Sequence, residues 1–150
     1  MSNLTNENFI NLNLSSNSRD EAIIELAKLI NADGRLKSYD DYIAEVFIRE
    51  SSSSTGIGFG IAIPHGKCDT VTTATLAFGR NDKGIEWDSL DGEPVRIVFL
   101  LAVPRSGEGS NEHLRLIAAI ARKLMDEEFT NKLHNSNSPK EILSLLLSVI

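Results

Sequence analysis

The hydrophobic period of this chain changes at Gly56: apolar residues before it recur at helical spacing, and after it they alternate strictly. A chain that switches period in this way has to bury amphipathic helices against a sheet. On the helical side, Ser18 with Glu21 forms a capping box ahead of Ile23, Leu26, Ala27 and Ile30, and Gly34 suits the position just past the helix end. A second helix starts after Ser38, with Asp40 and Asp41 in its first turn and Ile43, Val46 and Phe47 on its buried stripe. The polar run Ser51 to Thr55 ends it. From Gly56 onward a strand places Ile57, Phe59, Ile61 and Ile63 on one face and leaves Gly58, Gly60 and Ala62 almost bare on the other, until Pro64 stops it. A helix of the same domain is expected to pack closely on that bare face.

The flanking segments extend the pattern. Ile10, Leu12 and Leu14 alternate as a short strand half buried on one face. Strands from about Thr72 to Phe78 and from Val95 to Val103 are separated by turn-rich Asn81 to Gly84 and Asp91 to Pro94, with a short Ile85 to Trp87 piece between. After the Pro104 to Gly109 loop, Leu114, Ile117, Ala118, Ala121, Leu124 and Met125 recur at helical spacing, and Phe129 with Leu133 suggests a short further helix. The last helix has Ser138 as cap, Pro139 at its first position, Glu141 closing the box, then Ile142, Leu145, Leu146 and Val149. The 150 residues, 41% of them hydrophobic, suffice for one core. The expected fold is α/β: a single-domain sandwich over residues 1–150, with a central mixed sheet of about four or five strands flanked by helices. Strand order stays open.

Composition narrows the function. A formal charge of -6 with no run of Lys and Arg argues against nucleic acid and against anionic membranes. No stretch approaches the roughly 20 apolar residues of a membrane span, and no signal-like N-terminus is seen, so a cytoplasmic protein is expected. The single Cys68 has no internal disulfide partner, and no Cys/His spacing suggests zinc.

The chemistry concentrates between Arg49 and Gly66. His65 follows a strand and stands between rigid Pro64 and side-chain-free Gly66, which holds the ring in place while leaving it approachable. Neutral imidazole is a good nucleophile near pH 7, able to accept and release a phosphoryl group. Phosphoryl transfer asks mainly for in-line positioning and charge stabilisation. Candidate donors are the Arg49 fork, the Thr55 hydroxyl, backbone N–H groups of the glycine-containing stretch including Gly66, and His113. His113 opens its helix on the sector of Ile117, Ile120 and Leu124 and so faces inward; if the strands ending at Ile63 and Val103 are parallel neighbours, both histidines emerge at one sheet edge. A buried histidine tied to backbone is the plainer reading of His113, as a cation at a helix C-terminus is for Arg49. Gly56, Gly58 and Gly60 match neither nucleotide fingerprint. Cys68 reads as an inert small side chain and His134 as solvated.

The stretch from Arg49 to Gly66 resembles the active-site segment of the fructose/mannitol class of phosphotransferase-system EIIA proteins, closest to the fructose-specific ones. Gly84-Ile85-Glu86-Trp87, Gly92-Glu93-Pro94-Val95 and Asn111-Glu112-His113-Leu114 resemble the family's later blocks in the same order. The resemblance implies a relay in which the carrier protein HPr donates a phosphoryl group to His65, which passes it to a cysteine of an EIIB component, with a membrane EIIC component downstream. It implies that His113 stabilises or orients phosphorylated His65 and that Arg49 contacts the phosphoryl group, with no cofactor or metal. A nitrogen-related regulatory EIIA, which binds targets according to its phosphorylation state, is the alternative, as is an EIIA for mannitol or another sugar. A histidine-dependent hydrolase would need a triad or metal site that the sequence does not display.

Overall fold

A computed structural model of the chain describes residues 4–150; the first three residues of the expected 1–150 domain lie outside the described residues. A 3₁₀ turn at Glu7–Phe9 leads into strand β1 (Ile10–Asn11) and helices α1 (Arg19–Ala32) and α2 (Tyr39–Ser52). Three short strands follow, β2 (Gly56–Gly58), β3 (Ile61–Ala62) and β4 (His65–Cys68), then two long ones, β5 (Thr75–Ile85) and β6 (Val95–Pro104). Helices α3 (Glu112–Lys123), α4 (Glu127–Asn135) and α5 (Pro139–Leu147) complete the described chain.

Strand β6 organises the sheet. From Ile97 onward its residues are all apolar and buried because both faces are covered. Ile97, Val98, Phe99, Leu100, Leu101 and Ala102 alternate between two hydrophobic clusters, one under α1 and α2, the other under α3 to α5. The six strands run β1-β5-β6-β3-β2, with β4 also paired to β6, which makes the mixed α/β sandwich expected from sequence, one strand larger than anticipated. On one edge β6 pairs antiparallel with β5. Along the other it pairs in parallel first with β3, Ile61 opposite Ile97, and then with β4, His65 opposite Leu101, without a change of register. Pro64 lacks a donor and interrupts the ladder, yet its carbonyl still accepts from the Leu101 N–H at 3.0 Å.

The expected continuous strand from Ile57 to Ile63 is instead a tight antiparallel hairpin of β2 on β3. Gly58, Phe59 and Gly60 all take positive φ, at 96°, 60° and 74°, so the tip turns over and Phe59 is thrown outward, 67% exposed, instead of joining Ile61 and Ile63 in the core. Among the described residues no helix packs closely on Gly58 or Gly60, because the hairpin turns them away; the close helix approach falls instead at Gly66. A Cβ on Gly66 would stand 2.8 Å from Val46 Cγ2 and 3.0 Å from Tyr42 Cε1. Gly66 therefore serves the approach of α2, not the openness of the neighbouring imidazole, and the buried Tyr42 hydroxyl reaches the sheet to donate to Leu101 O at 2.7 Å.

Other expectations shift in detail. Leu12 and Leu14 lie in opposite clusters, since β1 is only two residues long and the chain turns after it. Asn81 to Gly84 is absorbed into β5 as a register irregularity between Arg80 and Ile85, and that strand begins at Thr75, later than the expected Thr72. In α3 the buried stripe is Leu116, Ala119 and Ile120, while Leu114 and Met125 are exposed: two neighbouring stripes of small and apolar residues fit the period, and packing against the sheet selects one. In α2 the fully buried positions are Tyr42, Val46 and Glu50, with Ile43 and Phe47 only partly covered. The caps follow the sequence pattern: Ser18, Ser38 and Ser138 each accept a backbone N–H three residues on. Glu21, however, turns its carboxylate to Asn17 N–H.

Because Val46 is β-branched and part of the obstruction at Gly66 is backbone, replacing that glycine leaves little room for relief. Gly66→Ala is expected to lower unfolding free energy by about 1–3 kcal/mol in chemical denaturation; an unchanged midpoint would mean that α2 does not depend on this close approach.

Candidate functional site

His65 opens β4, not the end of a preceding strand as expected, so its backbone is held by the parallel ladder with β6. Its Nδ1 lies 3.0 Å from Ile63 O. A carbonyl only accepts, so Nδ1 carries the proton and the lone pair is on Nε2. The condition set for the two histidines is met: β3 and β6 are parallel neighbours, and the His65 and His113 rings stand with centroids 5.6 Å apart, tilted by 31°. His113 sits in the first turn of α3, and its Nδ1 is buried without a hydrogen-bond partner among the described residues. The backbone tie of the plainer reading is thus missing at that atom.

Arg49 lies in the last turn of α2. Its Nη1 donates to Ser53 O at 2.9 Å, in the manner of a helix-end cation, and its charge also reaches His65. Thr55 differs from its expected use. Its hydroxyl donates to Glu50 Oε1 at 2.6 Å and its N–H to Glu50 Oε2 at 2.8 Å, so that hydroxyl proton is already engaged. Gly66 is buried against α2 as described above.

Two residues escaped the sequence reading. Glu50 is only 3% exposed, and besides Thr55 it accepts Trp87 Nε1–H at 3.2 Å, so one buried carboxylate ties the end of α2, the entry to β2 and the loop after β5. Its position at the end of a polar-looking helix conceals this, because Trp87 is distant in sequence. Lys67 lies two residues past His65 on β4, hence on the same face by alternation, and its charge acts on His113. That period-2 relation is a signal the sequence does carry.

Burial is the main cause that holds the His65 imidazole below its ordinary value of 6.5; the Ile63 hydrogen bond opposes it, Arg49 adds to it, and Glu50 opposes it. His113 is likewise lowered by burial, then by His65 and Lys67. Both rings are therefore neutral at pH 7. Cys68, expected to be inert, is buried, with Sγ 3.3 Å from Thr70 Oγ1. His134 is not simply solvated: it is half-buried beside Gly60, and burial lowers its proton affinity too. Among the described residues no group of three or more His, Cys, Asp or Glu side chains is placed to hold a metal ion, and no helix is long and apolar enough to cross a membrane.

The chain as a whole has counterparts among known proteins. Residues 3–149 match the family described as "Phosphoenolpyruvate-dependent sugar phosphotransferase system, EIIA 2". The chain is 33% identical over 150 residues to the "PTS system fructose-specific EIIA component" of Haloferax volcanii, covering 100% of this chain and 96% of that one. It is 35% identical over 143 residues to the "PTS system fructose-specific EIIABC component" of Bacillus subtilis, covering 95% of this chain but only 22% of that much longer protein. The structure superimposes with a TM-score of 0.84 on the nitrogen regulatory protein IIA-Ntr from Neisseria meningitidis, 32% identical, with 94% of each chain covered. This chain belongs to the EIIA 2 family of the phosphoenolpyruvate-dependent sugar phosphotransferase system.

Glu50→Gln replaces a carboxylate that receives three donors with an amide that returns two donors of its own. A loss of about 1–3 kcal/mol in unfolding free energy is expected, and because Glu50 raises the His65 pKa, an NMR titration of the variant should find His65 titrating lower still. The wild-type histidines also set a pH dependence. With the folded values of His65, His113 and His134 depressed, their contribution to stability is present above 6.5 and is lost as pH falls through the lowered folded values. Denaturation midpoints measured at pH 7 and stepped downward should fall across that window; a flat profile would contradict the burial of these rings.

Proposed function

We propose that this protein is a cytoplasmic phosphoryl carrier that accepts a phosphoryl group on His65 from phosphorylated HPr and passes it to a cysteine of an EIIB component, in support of sugar uptake through a membrane EIIC component. The observation that carries the reading is the Nδ1–H of His65 donating to Ile63 O, which leaves Nε2 as a neutral nucleophile beside His113. In the forward step the Nε2 lone pair forms a bond to phosphorus as the phosphorus–nitrogen bond of the donor histidine breaks, and the donor imidazole leaves with that electron pair. The His65 ring then carries positive charge, which its hydrogen bond to Ile63 O stabilises. In the second step a thiolate attacks phosphorus, the bond to Nε2 breaks, and the neutral ring returns.

The surrounding groups fit this exchange. Arg49 and Lys67 supply positive charge for the equatorial oxygens, and His113 has an unpaired nitrogen with which to hold or orient the phosphorylated ring. Thr55 serves indirectly, through Glu50, while the Gly66 backbone keeps β4 in register. Exposed Ile48 and Leu114 stand next in sequence to Arg49 and His113, apolar surface suited to transient protein partners. Fructose is the favoured sugar, since the two curated relatives described are named for it, and the EIIABC name of one joins the A unit to B and C units. A second reading, regulation by phosphorylation-dependent binding, is favoured by the likeness to the nitrogen regulatory protein.

Incubation with phosphoenolpyruvate, enzyme I and HPr should add one acid-labile phosphoryl group by intact mass, and none in His65→Ala. Arg49→Gln and His113→Ala should slow the labelling on the order of 10²-fold while leaving the fold intact. Chase with an EIIB component should discharge the group if the carrier reading holds; retention of label in its presence would favour regulation. Failure of folded wild-type protein to take label would refute both. The rate should also keep its neutral-pH value to below pH 6.5 before it declines, since protonation of Nε2 is delayed by the depressed pKa.

A further inference from the structure

Far from His65, at the opposite end of β6, the structure holds a second polar cleft. It has a volume of about 340 Å³ and is lined by Arg80, Asp82, Arg96, His134, Asn135 and Asn137. Arg96 precedes Leu101, the partner of His65, by five strand positions, a separation of roughly 16 Å along β6. Occupancy here is therefore independent of the phosphoryl-accepting ring.

The donors in this cleft exceed what the protein itself uses. Arg80 is 2% exposed, and its Nη1 donates to Leu133 O and Ser136 O while Nη2 donates to Asn137 Oδ1. These bonds close the C-terminal end of α4, but Nε has no hydrogen bond and only a 3.5 Å approach to Asp82 Oδ1. Arg96 is exposed, and its side chain makes no hydrogen bond or ion pair among the described residues. Asn137 points its oxygen at Arg80, which keeps its Nδ2 hydrogens for another acceptor. His134 lines the cleft with the two arginines and Asp82; burial first, then Arg96 and Arg80, depress its proton affinity, and Asp82 raises it. A concentration of cationic donors is unusual on a chain of net charge -6.

Acidic groups adjoin it, and Asp82 acts on His134 in the opposite sense to the arginines. Asp82 is 75% exposed at the side chain and meets Arg80 from the solvent side. Asp91, in the adjoining depression that shares Arg96 and His134, has its oxygens on the N–H groups of Phe59 and Glu93. Glu93 lines that depression as well, together with exposed Phe59 and Pro94, so the surface next to the cationic cleft offers apolar surface and a carboxylate acceptor.

We propose that this cleft binds a phosphate monoester. The phosphate takes the Arg96 fork and the Asn137 amide, with the buried Arg80 guanidinium adding positive charge behind them, and the organic part lies along Phe59 and Pro94. Nothing in the carrier reaction requires such a site, which makes it a place where a small phosphorylated molecule adds to the protein without competing for His65.

The test uses the whole chain, unphosphorylated, with inorganic phosphate and glycerol 1-phosphate as probes in NMR titrations against chloride at equal ionic strength. Saturable shifts centred on His134 and the Arg96 side chain are expected, with the ester at least as tight as inorganic phosphate, and the His134 pKa should rise as the anion offsets the arginines. Arg96→Gln, an exposed change that should leave the thermal midpoint unaltered, is expected to weaken binding about tenfold or more. Shifts that do not saturate, that are indifferent to Arg96→Gln, or that centre on His65 and His113 would overturn the proposal, as would binding of inorganic phosphate with exclusion of the ester.

Discussion

The parallel pairing of β3 and β4 with one edge of β6, continued in register across Pro64, is the constraint on which the rest of this structure depends. It fixes His65–Cys68 as a platform on β6. Because Pro64 gives up its donor but not its acceptor, the backbone bends locally without slipping, and Ile63 O is left free to face the ring two residues on. A one-residue slip would move His65 to the opposite face of the sheet, under α2. Such a slip is costly, since Ile61 and Ile63 would leave one cluster and Ala62 and Cys68 the other.

Around that platform, packing and electrostatics act together. Helix α2 reaches the sheet where Gly66 leaves room, and it brings Arg49 and Glu50 with it. The two charges act in opposite senses on His65, Arg49 lowering its proton affinity and Glu50 raising it, while burial decides the balance in favour of the neutral ring. Glu50 is tolerated inside because Thr55 and Trp87 supply three donors to its carboxylate. The same contacts hold the β2–β3 hairpin against the loop after β5. Membership of the EIIA 2 family and the geometry of the site are what support the proposed exchange of a phosphoryl group at His65.

Much of this was legible beforehand. The helix starts were, since Ser18, Ser38 and Ser138 act through neighbours three residues away. So was the burial of α1, where Ile23, Leu26, Ala27 and Ile30 leave one face to choose. In α3 two stripes satisfied the same period, and only the sheet beneath decided between Leu116 and Leu114. The segment Ile57 to Ile63 alternates as a strand should, but glycines at positions 58 and 60 allow a reversal that alternation cannot reveal, and pairing with β6 selects it.

By itself, then, the sequence determined the class of fold, the starts of three helices and the candidate imidazole of the proposed chemistry, because each of these rests on local propensity or on residues close together in the chain. Only the tertiary structure decided which nitrogen of His65 is free, that His113 lies 5.6 Å from it, that Thr55 is committed to Glu50, and that Arg80, Arg96 and His134 line one cleft. Most of those facts depend on strand register and on contacts between residues far apart in the chain, such as His65 with Leu101 and Arg80 with Leu133. Such contacts are set by how a whole core closes, and no local pattern of residue types encodes them.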